Sequence, residues 1–295
     1  MNTSNWMSAL DDNVKLTDVV MPGSHNAGCR RMIPLAECQR GDLAEQAVCG
    51  VRQFSVRLDT HRQKPVFAHS MIMGAPIEGD LAALRFFLDR NPSEFVIIEI
   101  GGYGDDSFGP YTHRCRVDNE QVGELLEHYL ECSRYALTDF DSIAQVTMGD
   151  IRRTGKRFLL VNSGEEYPCS KNCDFVSPWS PERHGRKAET FAARATEVFD
   201  QIEKKGIFVL QSQQTGGFGT EIGLASPKKV NRAFGPYFDT IIQNIRHNPL
   251  YLQKVNVILG DYWLDNPDRV RKVLALNLDK GNINPCKAEE FKAIL

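Results

Sequence analysis

Residues 80–100 read DLAALRFFLDRNPSEFVIIEI. The part at 80–90 repeats apolar residues at i, i+3 and i+4, which predicts an amphipathic helix. After an Asn-Pro-Ser break, FVIIEI at 95–100 is a short, mostly β-branched apolar run, the pattern of a strand buried on both faces. The same kind of run recurs at 16–22, 52–60, 65–70, 157–162, 207–212 and 255–261. Helix-length amphipathic segments stand at 122–133, 188–206, 230–248 and 266–280. The second of these spans ends on Gly206 after two lysines, a stop with cations at the negative end of the dipole, and the last has Pro267 in its first turn. Buried strands separated by helices predict a parallel sheet, and this many in 295 residues predict a closed one. The fold expected is α/β, a distorted or incomplete TIM (β/α)8-type barrel with parallel strands and outer helices, forming a single domain over 1–295. The rival is an open doubly wound sheet. It lacks its phosphate cradle here, since no GxGxxG follows an early strand and no GxxxxGK[ST] occurs.

Composition narrows the function classes. Hydrophobic residues make up 42% and charged residues 25%, the balance of an ordinary globular protein. The longest apolar runs fall far short of the ~20 residues a membrane-spanning helix needs. A net charge of −3 gives no polybasic footprint, so no nucleic-acid partner is expected. No signal peptide is visible at the start, and the compartment stays open between the cytoplasm and secretion of a processed form. Eight cysteines are not disulfide density in a chain of this length; the close pair Cys169 and Cys173 reads as a local disulfide or as plain thiols ahead of a zinc site.

In a parallel barrel the working residues stand at C-terminal strand ends. That rule selects His25 in the Pro-Gly-Ser-His-Asn turn after the first strand, His69 at the end of PVFAH, and Asp261 at the end of VNVILGD. Alternation puts Ser55, Arg57 and Asp59 on one face of the strand at 52–60. An ion pair is the plain reading of Arg57, because an unpaired buried cation is expensive. Together the four residues supply two imidazoles, a guanidinium and a carboxylate. Two imidazoles suit phosphodiester cleavage by an internal hydroxyl, one taking a proton and one giving it, and a guanidinium suits the phosphate oxygens. Nothing in that set requires a metal.

The runs NWMS (5–8), MPGSHN (21–26), GVRQFSVR (50–57) and VFAH (66–69) resemble the X domain of phosphatidylinositol-specific phospholipases C. The spacing from His25 to Arg57 to His69 is similar to that family's. IFVLQSQQT (207–215), VNVILGDYW (255–263) and Pro178-Trp179 resemble its small stand-alone X-domain members. The resemblance implies a distorted TIM barrel that cleaves the glycerol–phosphate bond of a phosphoinositide or glycosyl-inositol lipid. His25 would take the proton of the inositol 2-hydroxyl as it attacks phosphorus to form a cyclic phosphodiester. His69 would protonate the departing diacylglycerol oxygen, Arg57 would hold the phosphate and Asp261 would orient His25. Asn26, Glu99, Gln211 and Tyr262 would contact the substrate, with Gln213 beside them.

Departures from the family pattern qualify that picture. Calcium-dependent members carry two acids where this chain has Ser55 and Arg57, and a cation at 57 opposes calcium in the same place. No metal or other cofactor is therefore expected; Asp59 and Glu99 are the acids that could rebuild a weak oxygen site. Gly101 and Asn162 stand where metal-free bacterial members place basic residues. A second reading is a non-catalytic X-domain protein that binds lipid head groups, or a phosphodiesterase for another head group. A glycerophosphodiester phosphodiesterase ranks last, since its acids near the first histidine are missing. A monomer is expected, touching membranes transiently through Met71, Ile72 and Met73, although that run reads equally well as buried packing.

Overall fold

The computed structural model describes residues 1–295 except 102–104, 109–110, 115–116, 164–165 and 218–219, and only the backbone of 105–108, 111–112 and 114. In chain order the first strands are β1 (Met21–Ser24), β2 (Gln53–His61), β3 (Lys64–His69), β4 (Ile72–Pro76) and β5 (Val96–Gly101). They are followed by β6 (Asp105–Phe108), β7 (Tyr111–Arg114), β8 (Phe158–Asn162), β9 (Ser170–Lys171), β10 (Val209–Gln211) and β11 (Val257–Gly260). A path of strands runs β10-β11-β1-β2-β5-β8-β9, every neighbouring pair parallel. The chain leaving β9 then reaches the far edge. Val176 N–H donates to Ile207 O, and Val209 N–H donates to Val176 O beside β10. The ring is thus closed by an irregular segment rather than a full strand, a distorted barrel of the expected type.

The apolar run at 95–100 behaves as its composition dictates. Phe95, Val96, Ile97, Ile98 and Ile100 are all at most 3% exposed, enclosed between the neighbouring strands and the outer helices. The helix Glu78–Arg90 buries Leu81, Leu84, Phe87 and Leu88, and Asp80 in its first turn accepts from Arg30. Pro267 opens the helix Pro267–Asp279 as predicted. In its last turn Asn277 holds the approach to β1, accepting from Val20 N–H and donating to Val20 O.

Three expectations fail locally, and one reading left open between disulfide and plain thiols is decided. The segment at 16–22 is a 3-10 turn (Leu16–Asp18) followed by a strand beginning only at Met21, because Asn277 and Asn256 satisfy the intervening backbone. The segment at 188–206 breaks at Ala195–Glu197 and its last helical turn ends at Gln201, so Gly206 is not its stop. Cys169 and Cys173 are free thiols, and Cys169 has Cys132 as its sulfur neighbour. Most consequentially, β3 is not a barrel strand. It runs antiparallel to β2 across a two-residue turn, Arg62-Gln63, in which both residues have positive φ (49° and 63°). β4 extends that hairpin, with His69 opposite Ile72 and Ala68 opposite Met73. Of the run 71–73 only Met71 is exposed; Ile72 and Met73 are half-buried strand residues.

Candidate active site

The hairpin corrects the rule that selected His69 and still delivers the residue. β3 returns toward the barrel mouth, and His69 lies two residues past the pair Leu58–Phe67. The turn after β1 packs directly on it. Gly28 meets the Phe67 ring so closely that a Cβ would lie 1.9 Å from it, and Cys29 Sγ donates to Ala68 O at 3.3 Å. The small residues around His25 therefore let its loop sit against the end of β3. Ala27 N–H donates to Ser55 O, which fixes the same loop to β2 two residues before Arg57.

His25 is anchored on the other side by the end of β11. Its backbone N–H donates to Gly260 O, and its Nδ1 lies 3.0 Å from Asp261 Oδ1. Asp261 is 5% exposed at its side chain and His25 22%, so the carboxylate is enclosed and the ring reaches the mouth. With Nδ1–H donating to Asp261, Nε2 carries the lone pair. The tautomer follows from that hydrogen bond.

Arg57 leans across to β5. Its Nη1 donates to Glu99 Oε1 at 3.1 Å, so the ion pair that was its plain reading is realised. The guanidinium also lies over Gly101, where a Cβ would stand 2.8 Å from Nη1. Glycine at 101 makes room for a cation supplied from the neighbouring strand. Asp59, further along β2, is buried and 2.5 Å from His113 Nε2. Glu99 and Asp59, the two acids that could have rebuilt an oxygen site, are thus each engaged with a basic side chain.

Three of the predicted substrate contacts are engaged by groups of the protein itself. Tyr262 is 1% exposed and its hydroxyl donates to Glu37 O at 2.6 Å, so it braces a loop and shows nothing to the mouth. Gln211 spends its amide nitrogen on Ser177 O and Oγ, both at 3.0 Å, and its oxygen on Gln213 Nε2. Gln213 Oε1 is left buried without a partner among the described residues. Asn26 is buried at positive φ, its amide 3.8 Å from Cys38 Sγ. Glu99 serves Arg57.

Two residues escaped the sequence reading. Gln39, 1% exposed, donates from Nε2 to His25 O (2.8 Å) and Gly260 O (3.0 Å) while its Oε1 accepts from Tyr262 N–H (3.0 Å). One amide thereby ties the histidine loop to the aspartate loop. His184 is fully buried between Trp179 and Phe191, and burial pushes its imidazole down to about 4. Neither stands in a motif, and a lone buried Gln or His carries no periodic signal.

The strand order, the irregular closure and a histidine–aspartate couple at the mouth can now be set beside known proteins. This is the fold of the bacterial phosphatidylinositol-specific phospholipases C. The enzyme of that name from Listeria monocytogenes superposes with a TM-score of 0.65 at 18% identity, covering 94% of this chain and 99% of its own. A variant of the Staphylococcus aureus enzyme gives a TM-score of 0.67 at 17% identity, covering 93% and 96%. In sequence, the 1-phosphatidylinositol phosphodiesterase of L. monocytogenes is 27% identical over 107 residues, 34% of this chain and 33% of the relative. That of S. aureus (strain Newman) is 29% identical over 111 residues, 35% and 36%. The sequence matches thus span about a third of these relatives' length. No family model matches the chain. The relatives named are bacterial phosphodiesterases rather than the small stand-alone X-domain proteins to which the sequence pointed.

Proposed function

We propose that the chain is a phosphodiesterase that cleaves the glycerol–phosphate bond of phosphatidylinositol-type lipids, working as a single unit over 1–295. The observation that carries this reading is the His25–Asp261 couple, whose loop is tied to β2 near Arg57 and to the end of β3 that bears His69. The curated relatives, named as 1-phosphatidylinositol phosphodiesterases, support it.

His25 Nε2 takes the proton of the inositol 2-hydroxyl while that oxygen attacks phosphorus. The bond from phosphorus to the glycerol oxygen breaks, and His69 gives that oxygen a proton. Diacylglycerol leaves, and a cyclic inositol phosphate remains. Water then opens the ring with the two histidines exchanging roles. Asp261 favours the imidazolium that forms on His25, and Arg57 stabilises charge on the non-bridging oxygens. General acid–base catalysis of this kind contributes about 10²–10⁴-fold. No metal enters the scheme, since Arg57 occupies the charge-neutralising role. The substrate is reached by transient contact with a membrane surface, and the chain acts as a monomer. Among the described residues no helix is long and apolar enough to cross a membrane.

The rival is a head-group binding protein without turnover, which the Arg57–Glu99 ion pair favours, because a guanidinium already paired has less to offer a phosphate. Phosphatidylinositol vesicles separate the two. Release of cyclic inositol phosphate that disappears in His25→Ala and His69→Ala is expected. Vesicle binding with no product from any phosphodiester lipid would leave the binding protein standing.

A further inference from the structure

Cys38 stands beside the histidine–aspartate couple and has no part in the chemistry proposed above. Its Sγ, an imidazole nitrogen of His25 and a carboxylate oxygen of Asp261 all lie within 4.8 Å of one another. Two of these donors, His25 Nδ1 and Asp261 Oδ1, are already 3.0 Å apart. We propose that Cys38, His25 and Asp261 form a binding site for a thiophilic divalent cation of the zinc class, and that the cation switches the centre off.

The donor set is one nitrogen, one sulfur and one oxygen, the borderline-soft mixture that zinc selects over calcium or magnesium. Zinc sits about 2.0–2.3 Å from such atoms, so tetrahedral donors stand roughly 3.3–3.8 Å apart. The histidine–aspartate pair, at 3.0 Å, reaches that spacing by opening a few tenths of an ångström, and Cys38, within 4.8 Å of both, by closing about 1 Å or less. The backbone of Cys38 is fixed, its N–H donating to Cys29 O and its carbonyl accepting from Tyr262 N–H, so the closure falls to the side chains. Among the described residues the buried Cys38 thiol makes two long contacts of 3.8 Å, from Asn26 Nδ2 and to Ala36 O, which its rotation gives up. The loop before it has Ile33 and Leu35 in solvent, 53% and 51% exposed. His25 is partly open to the mouth, which leaves water for the fourth position.

Binding would act through the tautomer. A cation on Nδ1 takes the lone pair that Nδ1 gains only by losing its proton, and the neutral ring then carries its hydrogen on Nε2. Nε2–H cannot accept the proton of an attacking hydroxyl. Cys38 releases its thiol proton to solvent as the sulfur–metal bond forms, and Asp261 exchanges its hydrogen bond for a metal bond. Nothing is oxidised or reduced.

The loss of turnover rests on the function proposed above, whereas the site itself does not, so the two are read separately. Cobalt(II) is titrated into the reduced, metal-stripped full chain. One equivalent is expected to give a sulfur-to-cobalt charge-transfer band that Cys38→Ser abolishes and Asp261→Asn weakens at least tenfold. No such band in the wild-type chain, or one that persists in Cys38→Ser, overturns the site. Should Cys38→Ser fail to fold, cadmium NMR of the wild-type chain decides instead: a signal for one thiolate with nitrogen and oxygen supports it, and an all-oxygen or multi-thiolate signal overturns it. Zinc at one equivalent is expected to lower lipid cleavage at least tenfold, reversed by chelator and absent in Cys38→Ser. Cleavage insensitive to zinc, with the cobalt band present, overturns the switch. A chain that cleaves no lipid while showing the band defeats only the functional reading.

Discussion

Asp261 Oδ1 lies 3.0 Å from His25 Nδ1, joining the ends of β11 and β1, two adjacent parallel strands that stand 236 residues apart in sequence. The register places Ser24 beside Gly260, so each member of the couple follows the last pair of its strand. This position is what a barrel mouth provides: two side chains from different strand ends, held by backbone pairing immediately below them. Two substitutions test its chemistry. His25→Ala is expected to lower kcat by about 10²–10⁴-fold, the whole contribution of a general base. Asp261→Asn keeps the shape, loses the charge and frees the tautomer, and costs about 10–100-fold, the usual range for a partner that orients a histidine. Steady-state release of cyclic inositol phosphate measures both, with circular dichroism to verify folding. Equal rates for Asp261→Asn and the wild-type chain would remove the couple from the mechanism.

Gln39 carries the second prediction. Its single amide makes three hydrogen bonds, two of them fully buried, that bridge the loops bearing His25 and Asp261. Gln39→Leu conserves bulk but strands those backbone groups. Each lost partner exposes a desolvated group to a cost of roughly 1–3 kcal/mol, and the backbone bonds that remain offset part of it. Urea denaturation should show a net loss in that same range. Because the amide touches no substrate, kcat should fall while KM stays within about twofold; a KM effect alone would mean Gln39 contacts the lipid.

The sequence made the barrel legible because its signal is repetitive. Runs such as 95–100 and 157–162 are apolar on both faces, and only a two-sided layer buries both. The hairpin was illegible for a local reason: Arg62 and Gln63 adopt the positive φ that Asn-Gly normally announces, so β3 read as one more barrel strand. The site divides the same way. His25 and Asp261 follow strand pairs and were read correctly as neighbours. Alternation put Arg57 inside but said nothing of Glu99, its partner across the sheet. Arg52, five residues earlier in the same motif, is by contrast wholly buried with Glu94 and the carbonyls of Ala47 and Val51, a purely structural cation. The protein partners of Tyr262 and Gln211 were not legible either, because a polar side chain at a strand end can face a loop as readily as a ligand, and sequence does not record which.

Gly101 yields a third test. The Arg57 guanidinium occupies the space a side chain at 101 would fill, with Nη1 only 2.8 Å from the position of a Cβ. Gly101→Ala must displace the guanidinium from Glu99 and from its place at the mouth. The atom that must move is the far end of a flexible side chain, so the shift costs the fold little. The expected outcome is a fall in kcat/KM of roughly tenfold, about 1.4 kcal/mol, with the melting temperature nearly unchanged. If Arg57 holds phosphate, Arg57→Lys in the Gly101→Ala background should add little further loss. A fully additive loss would show that the two positions act independently.

Lys280 gives the fourth prediction, on stability against pH. Its ammonium is 8% exposed, donates to Gln253 O and Val255 O, and lies 3.8 Å from Asp18, which Lys204 also claims. Burial, reinforced by the Lys204 charge, pushes Lys280 down to about 7. In the unfolded chain a lysine titrates near ~10.4. Between these values the unfolded state binds a proton that the folded state declines. Stability therefore falls as pH drops from about 10 to about 7, by at most ~1.4 kcal/mol per pH unit from this group, and levels off below that. Lys280→Met fills the same space without a charge and should flatten the curve, losing stability at pH 10 through its missing hydrogen bonds and recovering it toward pH 7. Urea midpoints from pH 6 to pH 10 for the two chains measure the difference. Parallel curves would mean that Lys280 stays charged throughout, with Asp18 compensating its burial.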